Sequence, residues 1–258
     1  LGEEVKQMSE AAANWFEDEG LWSNTYRFMF PASSFDQAIQ HADQITDLSG
    51  FHGGALLDLC CGPGRYAVPL ALRGFSVTGV DRTSFLLDKA REYAVEKGAA
   101  IEWVLEDMRR FIRAESFDLA INMFTSFGYF DDPEENMGVL RNVHASLKRQ
   151  GVFIIDVAGK EILARIFEAT GSKELQDDSL IVQRRQVTDD WSRMENEWLL
   201  IKDASMKTLR LRHWIYSGRE LREMLEAAGF SSVTLHGDLD GSPYNQLANR
   251  LVAVARKP

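Results

Sequence analysis

Cysteine is nearly absent from this chain of 258 residues: the two present, Cys60 and Cys61, are neighbours. Adjacent thiols cannot frame a disulfide scaffold, and with no clustered histidines they make a poor zinc site. Basic charge is also in deficit. The formal net charge of −10 argues against a nucleic acid as the main partner, because phosphate neutralisation needs a basic face. Long apolar runs are missing: no stretch approaches the roughly 20 residues that cross a bilayer, so no membrane partner is expected. The opening LGEEVKQMSEAAANWFEDEG is acidic where a signal peptide would be basic and then apolar, and a cytoplasmic location is expected. A G-x-S-x-G elbow and a G-x-x-x-x-G-K-[ST] loop are absent too; Gly159-Lys160 is followed by Glu161 and lacks the upstream glycine.

What is present is ordinary globular composition, 45% hydrophobic and 26% charged, enough for one large domain with an insertion. Val5, Met8, Ala12 and Trp15 recur at helical spacing and predict an amphipathic helix over 3–19. An aromatic segment, LWSNTYRFMFP, runs to Pro31, and a second helix is expected near 34–48. From Gly53-Gly54 onward strands and helices alternate: ALLDLC, a helix over 65–73, FSVTGVD, a helix over 84–97, IEWVLED, FDLAINM, a helix opened by Asp132-Pro133, and GVFIIDV. That helix keeps Met137, Leu140, His144 and Leu147 on one face, and His144 reads as structural. Such alternation predicts a mostly parallel sheet with helices on both faces. The rhythm then changes. Three antiparallel strands are expected in SLIVQRRQVTD, RMENEWLLIKD and KTLRLRHWIYS, followed by a helix with a Ser217/Glu220 capping box and two closing strands.

The chemistry concentrates in residues 56–83. Gly62 and Gly64 with Ala67 satisfy a loose G-x-G-x-x-A pattern, and Asp81 ends the next strand, where an acid accepts from ribose hydroxyls. The bland alternative is a tight turn that needs glycine and an acid that merely ends a strand. The glycines suit NAD and a methyl donor equally. Asp58 separates them: a carboxylate inside an apolar strand repels a pyrophosphate but attracts an ammonium group. Its own alternative is a carboxylate satisfied by the backbone amides of the turn.

Read with Asp58, the segment LDLCCGPGR resembles the first motif of the class I S-adenosylmethionine-dependent methyltransferases, with Cys60 where that family more often has glycine. The resemblance covers roughly 54–158, and 217–257 less specifically. It implies a Rossmann-like seven-stranded sheet with an antiparallel last strand. It places Asp58 and the backbone around Cys60, Gly62 and Gly64 at the methionine end, Asp81 at the ribose and Arg82 beside the adenine. From EDMR it implies Asp107 and Met108 as adenine contacts, and from INMFTSFGYF it implies Asn122 and Met123 nearest the donor. The implied cofactor is S-adenosyl-L-methionine, the product S-adenosyl-L-homocysteine. The D/N-P-P-Y motif of nucleic-acid base N-methylation is missing, since Met123 and Phe124 follow Asn122. The aromatic cap and the antiparallel excursion look most like the small-molecule members of that family, such as aminosugar and amino-acid N-methyltransferases, so the resemblance implies a small-molecule acceptor, methylated on nitrogen or oxygen. An N-terminal cap (1–53), a donor-binding domain (54–169 and 217–258) and an antiparallel insertion (170–216) serving as lid, acceptor wall or dimer surface complete the expectation, in a monomer or homodimer.

Groups able to move a proton are few. Tyr26 in the aromatic segment, Thr125, Ser126 and Tyr129 after the fourth strand, and His213 in RLRHWIYS are the candidates, with Tyr26 also implied as closing over the donor. The aromatic residues Trp15, Phe16, Trp22, Tyr26, Phe28 and Phe30 could line an acceptor pocket or simply pack the cap. Arg184, Arg185, Arg210 and Arg212 could hold a substrate anion or simply face solvent. Two rival functions stay open from the residues alone: an NAD-dependent oxidoreductase on a similar sheet, and a protein that binds the methyl donor without chemistry.

Overall fold

The computed structural model of the protein describes residues 14–175, 178–203 and 205–258. Apolar runs bounded by turns become parallel strands: β1 (Gly54–Leu59), β2 (Phe75–Asp81), β3 (Glu102–Leu105), β4 (Phe117–Asn122) and β5 (Leu147–Val157). An antiparallel meander follows, β6 (Thr170–Glu174), β7 (Leu180–Thr188), β8 (Arg193–Lys202) and β9 (Ser205–Trp214). β10 (Ser232–His236) and β11 (Leu251–Arg256) return to the main sheet. Its order is β10-β11-β5-β4-β1-β2-β3, with β11 antiparallel to both neighbours. This is the Rossmann-like architecture expected above.

The helices are α1 (Glu19–Met29), α2 (Ala32–Ser49), α3 (Ala67–Leu72), α4 (Ser84–Lys97), α5 (Pro133–Ser146), α6 (Lys160–Ile166) and α7 (Gly218–Ala227). Local chemistry sets their starts. The Asp132 carboxylate accepts from Glu134 N at the head of α5, and both halves of the Ser217/Glu220 capping box are formed at α7. Alternate residues along each strand feed opposite layers of the core. Leu56, Leu119 and Ile154 pack with Ala38, Ala42 and Ile45 of α2; Leu57, Ala120 and Ile155 pack with Val139, Leu140, Leu221 and the rings of Trp15 and Phe16.

Several expectations need correction. The helix over 3–19 falls mostly outside the described residues; its last part, Trp15–Glu17, is a single 3-10 turn. Asp18 ends it by capping a new helix, accepting from Gly20 N at 2.8 Å, so the aromatic segment that had no assigned element is α1. Leu147 does not extend α5. It opens β5 opposite Phe117. The meander has a fourth strand, β6, whose sequence TGSKE lacks apolar alternation, and α6 precedes it. Among the described residues no helix is long and apolar enough to cross a membrane.

The meander is fastened to the sheet through the loop after β4. Trp214 N donates to Gly128 O (2.7 Å) and Trp214 Nε1 to Phe130 O (2.8 Å), while Trp15 Nε1 donates to Arg212 O (2.8 Å). Buried Arg193 bonds the Asp131 carboxylate at 2.6 Å and lies over the Trp214 ring at 3.9 Å. Its burial is thus compensated by charge and by a ring face.

One tight contact supports the turn after β1. The Trp103 indole of β3 crosses the glycine of β2 so closely that a Cβ on Gly79 would stand 2.5 Å from Cζ3, and one on Gly64 2.9 Å from Cη2. Gly79→Ala is therefore expected to cost about 1–3 kcal/mol in urea denaturation, the range for overpacking. Adding Trp103→Leu should recover most of the loss. A Gly79→Ala protein as stable as wild type would show that the indole moves aside freely.

Candidate active site

In a parallel sheet the crevice lies at the carboxyl ends of the strands where strand order reverses, here between β1 and β4. The chain leaving β1 turns through three left-handed residues, Cys60 (φ 61°), Gly62 (φ 53°) and Gly64 (φ 76°). Glycine adopts this conformation without strain; for Cys60 it carries a cost. The turn is stitched to β2: Cys61 N donates to Val80 O (3.0 Å), and Gly62 N to Asp81 Oδ2 (2.9 Å). Asp81 Oδ1 accepts from Thr83 N (2.9 Å), and its carbonyl accepts from Glu106 N (3.1 Å) beyond β3. Burial raises the Asp81 carboxyl above the usual range, and the Thr83 and Gly62 amides pull it part of the way back.

A cavity of about 480 Å³ opens above this turn. Of the residues singled out from the sequence, Asp58, Cys60, Gly62, Asp81, Arg82, Asp107, Met108, Met123, Ser126 and Tyr129 line it. The rings of Phe16, Trp22, Phe28 and Phe30 line it as well. Five candidates do not. Gly64 lies beneath the turn against Trp103 and Ala90. Asn122 points its amide at Leu59 O (3.1 Å) and braces β1 from β4. Tyr26 packs against Phe30 (5.5 Å) and Phe85 (5.6 Å) and borders a separate, smaller depression. His213 sits opposite Met194 in the meander, where burial lowers it to about 4. Thr125 Oγ1 is occupied by Ala158 N (3.0 Å). The meander arginines are engaged within the chain: Arg184 and Arg210 with Glu197, Arg212 with Asp131, Arg185 with Gln183 and Glu168 O.

The charges around the cavity are not alike. Burial raises the Asp107 carboxyl, but bonds from Arg109 (Nη2 at 2.8 Å, backbone N at 2.8 Å) outweigh it and hold it below the usual range. Asp58 has less support, a backbone bond from Ala67 and no arginine bonded to it. It is 2% exposed, its Oδ2 has no hydrogen-bond partner, and burial with the nearby Asp81 charge lifts it to about 7, against the partial pull of Arg65. A buried carboxylate oxygen without a donor, on the wall of a cavity, calls for a cation. The ammonium of a methionine moiety fits it; a pyrophosphate does not.

The structure adds three parts to the site as read from the sequence, where Phe16 is named only as one of the rings that could line an acceptor pocket. Phe16, 3% exposed, is held between Arg82 (5.4 Å) and Arg109 (5.8 Å), and both guanidinium groups reach the Glu17 carboxylate (3.3 and 3.6 Å). Arg82 is thereby tied to the 3-10 turn, its Nη1 donating to Phe16 O at 3.2 Å. Gln183 and Trp198 of the meander line the far side, with Phe28 edge-on to Trp198 at 5.3 Å. Arg65 is the third. Its place directly after the glycine turn was the available signal, because a side chain leaving that turn has the crevice beside it.

Comparison with known proteins gives a consistent answer. Residues 56–151 match a family described as a methyltransferase domain. YqeM of Bacillus subtilis (strain 168), provisionally named a methyltransferase, is 27% identical over 88% of this chain and 95% of its own length. The glycine/sarcosine N-methyltransferase of Aphanothece halophytica is 27% identical over 80% of this chain and 77% of its own. Among solved structures, S-adenosylmethionine-bound CalS10, an amino pentose methyltransferase from Micromonospora echinaspora, superposes with a TM-score of 0.66 at 21% identity, over 92% of this chain and 97% of that one.

The raised Asp58 gives a pH test. Because the folded chain holds this proton up to about pH 7 and an unfolded one releases it near 4, folding stability falls as pH rises across that window. The slope is at most about 1.4 kcal/mol per pH unit. Asp58→Asn removes it. In urea melts of the ligand-free protein the variant should exceed wild type at pH 8, with the margin shrinking toward pH 5; a margin independent of pH would contradict the assignment.

Proposed function

Because the chain belongs to the class I S-adenosylmethionine-dependent methyltransferases, we propose that it methylates a small-molecule acceptor on nitrogen or oxygen, held in the aromatic annex of the cavity where α1 meets the meander. The carrying observation is that one cavity holds both groups of residues, Arg82, Asp107, Met108, Asp58 and Cys60 on the donor side and Phe28, Trp198 and Gln183 on the acceptor side. At about 480 Å³ it is on the scale of a pocket for a small ligand. The reacting part of the acceptor is correspondingly small. In this reading residues 54–169 and 217–258 bind the donor, the cap of 1–53 closes over it, and the insertion at 170–216 is the acceptor wall.

When bound, S-adenosylmethionine supplies a methyl group already activated by its sulfonium centre. The residues supply position and a dry enclosure. Asp58 takes the ammonium, while Asp81, whose oxygens each retain a lone pair, takes the ribose hydroxyls. Met108 and Phe16 flank the adenine, and Asp107, braced by Arg109, stands at its edge. Cys60, Gly62 and Met123 form the floor under the methionine chain. Asn122 acts from behind by steadying Leu59.

An amine nitrogen is the acceptor that asks least of these side chains. Burial pushes the Tyr129 hydroxyl well up, so it is no base near neutrality, and His213 is outside the cavity. An amine brings its own lone pair once deprotonated; a hydroxyl needs a base in place. Two of the similar proteins are named for N-methylation and for an amino pentose, which supports the same choice.

Calorimetric titration with S-adenosylmethionine, S-adenosylhomocysteine and NAD tests the donor. Micromolar binding of the adenosyl ligands and none of NAD is expected, with Asp81→Asn weakening the former about tenfold, or ~1.4 kcal/mol. Radiolabelled methyl transfer to a panel of amines, hydroxyl compounds, tRNA and protein then tests the acceptor. Label on tRNA or protein in place of small amines would overturn the small-molecule reading.

A further inference from the structure

The tryptophans that join the cap to the meander satisfy their ring N–H groups with backbone carbonyls. Trp15 Nε1 donates to Arg212 O (2.8 Å), Trp22 Nε1 to Phe16 O (3.0 Å) and Trp214 Nε1 to Phe130 O (2.8 Å). Trp198 is different. Its Nε1 is buried and has no hydrogen-bond partner among the described residues, although the residue lines the cavity with its ring nearly perpendicular to that of Phe28. A buried indole N–H usually finds an acceptor, so this one is a donor whose partner is still to arrive.

Its neighbours say what kind of partner. Directly across the ladder from Trp198 stands Gln183, on the same face of the meander and also on the cavity wall. Arg185 Nη2 donates to Gln183 Oε1. A guanidinium can only donate, so this bond fixes the orientation of the amide and occupies its oxygen, leaving the two N–H donors of Nε2 to the site. On the next strand Gly171 lies opposite Gln183, and two residues further on Lys173 brings Nζ to 5.8 Å from the centre of the Phe28 ring. Carboxylates are missing from this end. The four that line the cavity, Asp58, Asp81, Glu106 and Asp107, stand in β1, at the end of β2 and directly after β3.

Two N–H donors side by side, a cation at the rim and no acid among them are the complement of a carboxylate. We propose that Trp198, Gln183 and Lys173 anchor a carboxylate of the methyl acceptor, so that the acceptor is an amine carrying a carboxylate at the end remote from the donor. The proposal deepens the small-molecule reading and rests on it. The carboxylate takes the N–H groups of Trp198 and Gln183, the hydrocarbon part lies against Phe28, and the amine nitrogen faces the floor at Cys60 and Met123. All three anchoring residues bind and none of them moves a proton.

Indole NMR on the full chain, labelled with 15N-tryptophan and loaded with S-adenosylhomocysteine, reads the anchor directly. Trp198→Phe identifies its signal among the six tryptophans. Three probes share one ring: trans-4-aminocyclohexanecarboxylate, trans-4-aminocyclohexanol and cyclohexylamine. We expect the carboxylate to bind about tenfold tighter than either of the others and to move the Trp198 Nε1–H signal downfield. Gln183→Glu has the same shape but turns an oxygen toward the site. It should weaken the carboxylate about tenfold and leave cyclohexylamine and S-adenosylhomocysteine unchanged. Lys173→Met, at an exposed position, should weaken the carboxylate alone, by about threefold. A carboxylate that binds no tighter than the alcohol or cyclohexylamine, or that leaves the Trp198 signal in place, overturns the anchor. Thermal melts report whether Gln183→Glu folds; if it does not, the wild-type comparison and Lys173→Met decide. The readings fail separately: a protein that does not bind S-adenosylhomocysteine refutes the donor, label on tRNA or protein refutes the small-molecule acceptor, and the probes, titrated with or without S-adenosylhomocysteine, refute the anchor.

Discussion

The mouth of the sheet depends on the carboxylate of Asp81. Its two oxygens hold the amides of Gly62 and Thr83, and its backbone carbonyl holds Glu106 N, so the chain leaving β1, β2 and β3 is gathered at one residue. Hydrogen bonds to a charged acceptor are worth about 1.5–3 kcal/mol each. That is the scale needed to keep Cys60 left-handed, a conformation costing a non-glycine residue about 1–3 kcal/mol. The cavity floor has its shape because this carboxylate is satisfied from within the chain.

Asp58 and Arg65 follow the opposite logic. Each is buried, each faces the same space, and neither is served by the protein to the extent that Asp81 and Asp107 are. Unpaired buried charge is a destabilising luxury unless a ligand completes it, and such charge marks binding sites. The site therefore divides into groups that build the walls and groups held in readiness. The rings of Phe124, Tyr66 and Phe30 around the Arg65 guanidinium show how a cation is kept dry without being neutralised.

Much of the architecture was legible because local and global signals agreed. FSVTGVD is β2 and 84–97 is α4 residue for residue, since an apolar run ends at Asp81 and the helix stops at Gly98. The order of chemistry along the chain was legible too, as strand, glycine turn, helix, strand and acid. Other parts were hidden by physics that acts at a distance. α1 is rich in aromatic residues whose partners are Phe85 and Trp198, far along the chain, so its periodicity looked like loop. β6 is an exposed edge of polar residues and carries no alternation. Tyr26 and Phe16 lie on neighbouring pieces of the cap, yet only Phe16 reaches the cavity, because Arg82 and Arg109 draw its turn inward. Arg65 offered only its place after the glycine turn, because an unpaired charge is defined by what fails to surround it.

The pairing of β5 carries a consequence for how the chain is made. Val157 at the end of β5 pairs with Leu251 at the start of β11, and no nearer strand covers that edge. During synthesis β5, with buried Val152, Phe153, Ile154 and Ile155, emerges long before its partner does. In the interval the ribosome produces the meander, which pairs only with itself. An apolar strand with an open edge invites pairing with other chains. The nascent protein is therefore most exposed to aggregation after the donor-side half is complete and before β11 arrives, and a long-range closure of this kind is slow.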